Sequence, residues 1–363
     1  MKKQRILTSQ AAPGMKIADD VYTPSGQLII SAATAVTDKV ITRLKFYSIH
    51  QITIEVDDDT PDEPVAPVAY QTEPYSQKIK KTNEFKLFSS ALAKSTEHLH
   101  QCFNNIVEQN QKINEDEMIS EVNSVMSCAR NGMHIFDMLH SMRNYDDETY
   151  LHSINVALIS CVLGRWMNFT RQELDTLILC GLMHDIGKII IPHEIIHKPG
   201  RLTEEEYATI KTHSVRGYNI LRAQNANIHV QMTAMMHHER CDGSGYPMGI
   251  KGNQIDRFAK IVMIADVYDA MTSARVYRGP LCPFEVISIF ESEGLAKYDT
   301  RAVMTFLEHV NQTYLHNTVR LSNQSIGEIV MMNQTILSRP VIQVGSRFID
   351  LSREPGLYIE AIL

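Results

Sequence analysis

Apolar residues recur at three- and four-residue spacing through Phe85, Phe88, Leu92, Leu99, Phe103, Ile106 and Val107, which predicts an amphipathic helix there. Asn114 and Asp116 suit the start of a second helix, with Met118, Ile119, Val122 and Val125 on its buried face. The same period predicts helices over 171–189, 204–221, 228–236, 258–272 and 283–291, so residues 82–316 read as one helical region. Residues 1–56 look different: turn signals such as Pro13-Gly14 and Pro24-Ser25-Gly26 alternate with short strand-like runs at 27–30 and 51–56. With one helix pattern near 38–47, they read as a small α+β module. Residues 57–81 are acidic and Pro-rich, a composition that neither buries a face nor sustains a helix, and read as a linker. Residues 317–363 return to strand-like runs at 326–331, 340–344 and 357–362, a small sheet formed alone or with the N-terminal module. The fold class is therefore mainly α, with small strand-bearing pieces at both ends.

Composition narrows the chemistry. The 363 residues are 44% hydrophobic and 21% charged, ordinary for a globular protein of about two domains. A net charge of −7 argues against nucleic acid or an anionic membrane as partner, so an anionic substrate must find positive charge locally. No apolar run is long enough to span a bilayer, and the basic start, Met1 to Ser9, lacks a signal peptide's apolar core. The six cysteines show no CxxC pairing and read as reduced thiols of a cytoplasmic protein. Neither βαβ alternation nor a Gly-rich phosphate loop is present, which disfavours nucleotide-binding folds.

Histidine and carboxylate residues are concentrated in the helical region. Glu148 and His152 are four apart and share a face if helical, though alone such a pair is commonplace. His184-Asp185 ends an apolar helix just before Gly187, where both side chains would emerge at a cavity. His213 stands alone; His237-His238 lies where an apolar helix meets a Gly-rich loop. Asp266 follows a largely apolar run and is costly to bury without a cation or hydrogen bonds; Asp269, three residues on, suits a supporting position. Two divalent ions against Asp185 and Asp266 leave a charge of +2, and a third against Glu148 leaves +3. Lys188, Arg275 and Arg278 add to this, enough to hold a phosphodiester. Imidazole and carboxylate ligands without thiolate suit Fe or Mn and permit Zn or Ni.

Taken together, these residues resemble the HD-GYP family of the HD phosphohydrolases. The resemblance covers roughly residues 145–307 and rests on residues 146–153, His184-Asp185-Ile186-Gly187-Lys188, residues 198–203, His213 and His237-His238-Glu239-Arg240. It continues through Asp242-Gly243-Ser244-Gly245-Tyr246-Pro247, residues 266–273, Arg275 and Arg278. The N-terminal module, with Pro13-Gly14-Met15, more weakly resembles a small domain found ahead of HD-GYP domains. The resemblance implies a helical bundle that hydrolyses cyclic di-GMP to pGpG and on to GMP. It implies Glu148, His152, His184, Asp185, His213, His237, His238 and Asp266 as ligands of two or three metal ions, with an acidic Glu148 favouring three. It further implies Lys188, Arg275 and Arg278 on the substrate phosphates, and Gly245-Tyr246-Pro247 shaping the site and meeting signalling proteins. The family's usual Phe-Asp-Pro stands here as Tyr298-Asp299-Thr300.

In that reading Asp185 is shared between metals, Lys188 bears charge in the transition state, and Asp269 or a water protonates the leaving oxygen. Two other readings stay open. One is a sensor of cyclic dinucleotide or metal without useful turnover; the other is an enzyme for a hybrid cyclic GMP-AMP. A homodimer is compatible with the helices between 82 and 143.

Overall fold

The structure is a computed structural model, and it describes residues 2–8, 11–22, 28–37, 39–41, 44, 51–56, 75–142, 149–196, 198, 200–273 and 280–363. Two compact units divide the chain: Met1–Tyr70 with Arg320–Ile326 and Gly356–Glu360, and Gln71–Val319 with Gly327–Pro355 and Ala361–Leu363.

In the first unit, β1 (Lys2–Leu7), β2 (Lys16–Ile17) and β5 (Gln51–Val56) form an antiparallel sheet in the order β1-β5-β2, and β3 (Val21–Tyr22) pairs with β4 (Leu28–Ile30). Ile17, Val36, Leu44, Ile52 and Ile54 fill its core. Most of the helix expected near 38–47 lies outside the described residues, as do 57–74 of the expected linker. Residues later in that stretch are helical instead: α1 spans Tyr75–Lys80, beyond the last of the prolines.

The second unit holds most of the helices. They are α2 (Asn83–Gln109), α3 (Glu115–Ser127), α4 (Gly132–Met142), α5 (Thr149–Trp166), α6 (Arg171–Met183), α7 (His193–Ile196), α8 (Glu204–Lys211), α9 (His213–Ala223), α10 (Ile228–Met236) and α11 (Arg257–Thr272). After them come α12 (Pro283–Ile289), a π-helical turn (Phe290–Gly294), α13 (Leu295–Lys297) and α14 (Thr300–Thr313). Asn114 does cap α3, accepting from the Glu117 N–H, and Thr170 closes a capping box with Glu173 at the start of α6. α5 is the central helix: from His152 to Gly164 it is buried on nearly every side, and it packs on α6 and α11. A helix apolar all round belongs in a core, and each fully buried Leu, Ile or Val there contributes about 1.5–3 kcal/mol.

Two glycines set the spacing of these helices. A Cβ on Gly181 would run into the backbone of Ala157, so α6 lies directly against α5. A Cβ on Gly187 would meet the His213 carbonyl and the Gly217 N–H, so the 3-10 turn Ile186–Ile190 lies against α9. The helix expected over 204–221 is two, α8 and α9, meeting at Thr212.

The tail strands are β6 (Thr318–Leu321), β7 (Ile326–Met331), β8 (Val341–Val344), β9 (Arg347–Asp350) and β10 (Ile359–Ile362). They pair among themselves in the order β10-β6-β7-β8-β9. Among the described residues no helix is long and apolar enough to cross a membrane.

Candidate metal centre

Five elements deliver the candidate ligands to one place. His152 sits in the first turn of α5; His184 and Asp185 follow the end of α6; His213 opens α9; His237 and His238 follow α10; Asp266 lies in α11. All except His238 are buried. Among the described residues, two groups of potential ligands form: Asp185 with His213, His237 and His238, and Asp185 with His152 and His184. Asp185 belongs to both. Its Oδ1 lies 3.3 Å from His213 Nε2 and 3.6 Å from His237 Nε2, while its Oδ2 lies 3.2 Å from His184 Nε2 and 3.8 Å from His152 Nε2. Asp266 stands across from it, Oδ1 3.1 Å from His152 Nε2 and Oδ2 3.9 Å from His238 Nδ1.

The imidazoles are oriented by a repeated local device. Nδ1 of His184, His213 and His237 lies 2.7, 2.6 and 3.0 Å from the carbonyl three residues earlier, on Gly181, Ile210 and Ala234. A carbonyl only accepts, so each Nδ1 carries the proton and each Nε2 turns a lone pair inward. His152 is held likewise by a carboxylate: Nδ1 donates to Asp269 Oδ2 at 2.7 Å, and Asn155 Nδ2 donates to Asp269 Oδ1 at 3.1 Å. Metal-binding histidines are held in this way by a partner on the second nitrogen.

The inward atoms could hold a cation. Nε2 of His213 and His237 face each other at 3.2 Å with no proton between them, and His184 Nε2 and Asp185 Oδ1 are buried without a hydrogen-bond partner. Charge states agree. Burial pushes the pKa of His213 down to about 3 and those of His237 and His238 below the ordinary value, keeping these imidazoles neutral as ligands must be. Burial opposes ionisation of Asp185 and Asp266 too. Lys188 outweighs it at Asp185, as His152 does at Asp266, and both carboxyls stay well below the carboxylate range. At His152 burial is likewise outweighed by Asp266 and Asp269, which raise its pKa to about 10, so a metal there must displace a proton. The donor set fits divalent ions.

Beside the centre, Lys188 Nζ donates to Asp185 Oδ2 at the rim. Tyr246 lies over His238, ring centroids 4.6 Å apart, and its N–H donates to the His238 carbonyl at 3.2 Å. A cavity of about 390 Å³ opens there, lined by His238, Tyr246, Arg240, Lys297 and Tyr298 among others. Glu148, Arg275 and Arg278, expected as a ligand and two phosphate contacts, lie outside the described residues.

Two supporting residues escaped the sequence reading. Asn155 fixes Asp269, and its signal was an amide in the apolar run that follows His152. Glu239 is fully buried and accepts the N–H groups of Met248 and Ile250 at 2.7 and 3.1 Å, closing the Gly-rich loop around Tyr246. A carboxylate straight after two candidate ligands, entering a loop rich in glycine, was its signal.

Residues 135–302 match the HD domain family. Over 167 residues the chain is 39% identical to 3'3'-cGAMP-specific phosphodiesterase 1 of Vibrio cholerae, covering 46% of this chain and 39% of that protein. It is 31% identical over 204 residues to the cyclic di-GMP phosphodiesterase PA4108 of Pseudomonas aeruginosa, covering 56% and 49%. It is 36% identical over 178 residues to a cyclic di-GMP phosphodiesterase of Thermotoga maritima, covering 48% of each. The matched part thus spans about half or less of those relatives.

Proposed function

We propose that residues 135–302, which match the HD domain family, are of the HD-GYP type, and that through them this chain is a metal-dependent phosphodiesterase of cyclic di-GMP, forming pGpG or GMP. The observation that carries this reading is Asp185, whose two oxygens face two separate groups of inward-turned imidazoles.

His213, His237, His238 and Asp185 would hold one divalent ion, and His152, His184, Asp185 and Asp266 a second; Glu148 is the proposed ligand for a third. Iron or manganese suits this donor set, with zinc and nickel as alternatives. Bound there, the ions would supply Lewis acidity toward the phosphoryl oxygens and a water acidic enough to attack phosphorus near neutral pH. Lys188, at the rim on Asp185, is placed to neutralise charge developing on a phosphoryl oxygen. Asp269 was expected to protonate the leaving oxygen. It stands behind His152 with both oxygens engaged, and its role here is to orient that imidazole. Arg275 and Arg278 remain the proposed phosphate contacts. Tyr246 and the cavity beside it would receive a nucleotide base. The face of the Gly245-Tyr246-Pro247 loop is the proposed meeting point for signalling proteins.

A second substrate, a hybrid cyclic GMP-AMP, is favoured by the 39% identity to a cGAMP-specific relative. Protein purified without oxygen and loaded with Fe(II) or Mn(II) would be incubated with each dinucleotide, with products separated and metal counted on one sample. Turnover of cyclic di-GMP above that of cyclic GMP-AMP is expected. The reverse order transfers the proposal to the hybrid substrate. Binding of either without turnover at full metal occupancy makes the domain a sensor.

A further inference from the structure

Arg240 lies two residues after His238 and lines the cavity beside Tyr246. Its guanidinium lies over the face of Tyr298, 5.2 Å from the ring centroid, and Nη1 donates to the Glu239 carbonyl at 2.8 Å. The ring backs the planar group and the carbonyl fixes one of its nitrogens. The backbone beneath is pinned as well. Glu239 is buried, and the Cys241 N–H donates to the Lys297 carbonyl at 2.8 Å. A Cβ on Gly245 would run into Glu239 Cα and the Arg240 nitrogen, so the Tyr246 loop lies directly against this segment. Elsewhere in the cavity charge is matched, since Lys297 donates to Glu293. Among the described residues no carboxylate pairs with Arg240. A held, partly buried guanidinium, all donors and no acceptor, is matched by a ligand that offers two acceptors in one plane.

We propose that Arg240 selects guanine in this cavity, its guanidinium donating to O6 and N7 of the base. Guanine presents these two acceptors side by side, the spacing an arginine fork fits. Adenine presents N7 beside the N6 amino group, so a donor of Arg240 would face a donor and both would be left unpaired. The rest of the lining suits a base better than a phosphate. Tyr246, Tyr298 and Phe290 supply aromatic surface, the last two with ring centroids 5.3 Å apart, and Val267, Met271 and Ile289 are apolar. The π-helical turn that carries Phe290 and Glu293 forms one wall, and the Glu291 carboxylate holds that turn by accepting the Leu337 and Ser338 N–H groups. This inference rests on the reading that the domain binds a cyclic dinucleotide at the metal centre. A hybrid cyclic GMP-AMP can still bring its one guanine here, so the comparison that reads Arg240 is cyclic di-GMP against cyclic di-AMP.

The metal-loaded full chain would be given cyclic di-GMP, cyclic di-AMP, and cyclic di-GMP built with 7-deazaguanine, which lacks the N7 acceptor. The readout is kcat/KM, or Kd where turnover is absent. Wild-type protein should prefer cyclic di-GMP to cyclic di-AMP and should lose about 10-fold or more on the 7-deaza analogue. Arg240→Gln should cut the preference about 5–150-fold and no longer respond to the missing N7. Arg240→Lys keeps the charge but not the fork, and should lose the preference too. Equal weakening of both dinucleotides in Arg240→Gln, the result expected of a phosphate contact or of a merely structural stack, overturns the proposal. So does a wild-type protein indifferent to 7-deaza substitution, a result that needs no variant to fold. In both of those cases cyclic di-GMP is still bound or turned over and the phosphodiesterase reading stands, whereas a wild-type protein that takes no cyclic dinucleotide removes both.

Discussion

Three histidines of the centre are placed by the same contact, Nδ1 on the carbonyl of the preceding turn. The device is local, so each ring is set by its own turn, but in the sequence His184, His213 and His237 stood out as candidates mainly as members of the set that carries the resemblance. His152 depends on distant partners, Asp266 and Asp269, and in the sequence its pairing with Glu148 had been the less telling clue. Asp269→Asn should leave the fold intact and weaken metal binding about 10–100-fold, with turnover recovered at high metal; competition against a chelating indicator measures this. Asp185→Ala and His184→Ala should abolish turnover of cyclic di-GMP, and either variant retaining it would refute the proposed centre. Acid should also destabilise the metal-free protein. His213 titrates near 3 when folded but near 6.5 when unfolded, so below pH 6.5 the unfolded chain gains the proton first. His237 and His238 act in the same sense, whereas His152, raised to about 10, contributes stability that is full below pH 6.5 and lost as pH rises through 10. Three groups against one predict a melting temperature that falls between pH 7 and 5; a flat profile would contradict it.

At the level of elements, hydrophobic period located α2, α10 and α11 closely, because these helices bury an ordinary apolar face or lie wholly inside. The period did not show the break at Thr212 or the π-helical turn at Phe290–Gly294. The first follows from tertiary demand: the chain tightens where His213 must turn back on Ile210, and no glycine or proline announces it. α4 was not singled out, and it is a short helix whose apolar residues meet several neighbours. Gly187 was read as a helix end, but its larger role is to let the Asp185 turn touch α9. Gly187→Ala must push the His213 backbone away. A loss of at least about 1–3 kcal/mol in denaturant unfolding is expected, with a lower metal content in what remains folded.

Across the whole molecule, the helical region and the strand-bearing ends were readable because their periods differ, 3.6 against 2. Register was not readable: nothing in the runs at 326–331 and 340–344 gave the order β10-β6-β7-β8-β9. The sharing of Asp185 was expected from the resemblance, but which imidazoles gather on each of its oxygens was not readable. That gathering depends on five elements meeting, and sequence spacing carries no angle between helices. The candidate residues could be picked out in the sequence, and the way they gather could not.

The bond between His152 and Asp266 joins residues 114 positions apart. An ion held by ligands so far apart in the chain binds the native state and has little hold on the unfolded one. At a free concentration one hundred times its dissociation constant it would add about 2.7 kcal/mol to stability. The lifetime of this protein would therefore report the metal supply around it. Limited proteolysis at graded metal concentrations should show cleavage slowing in step with occupancy, so that starvation for the ion removes the protein itself.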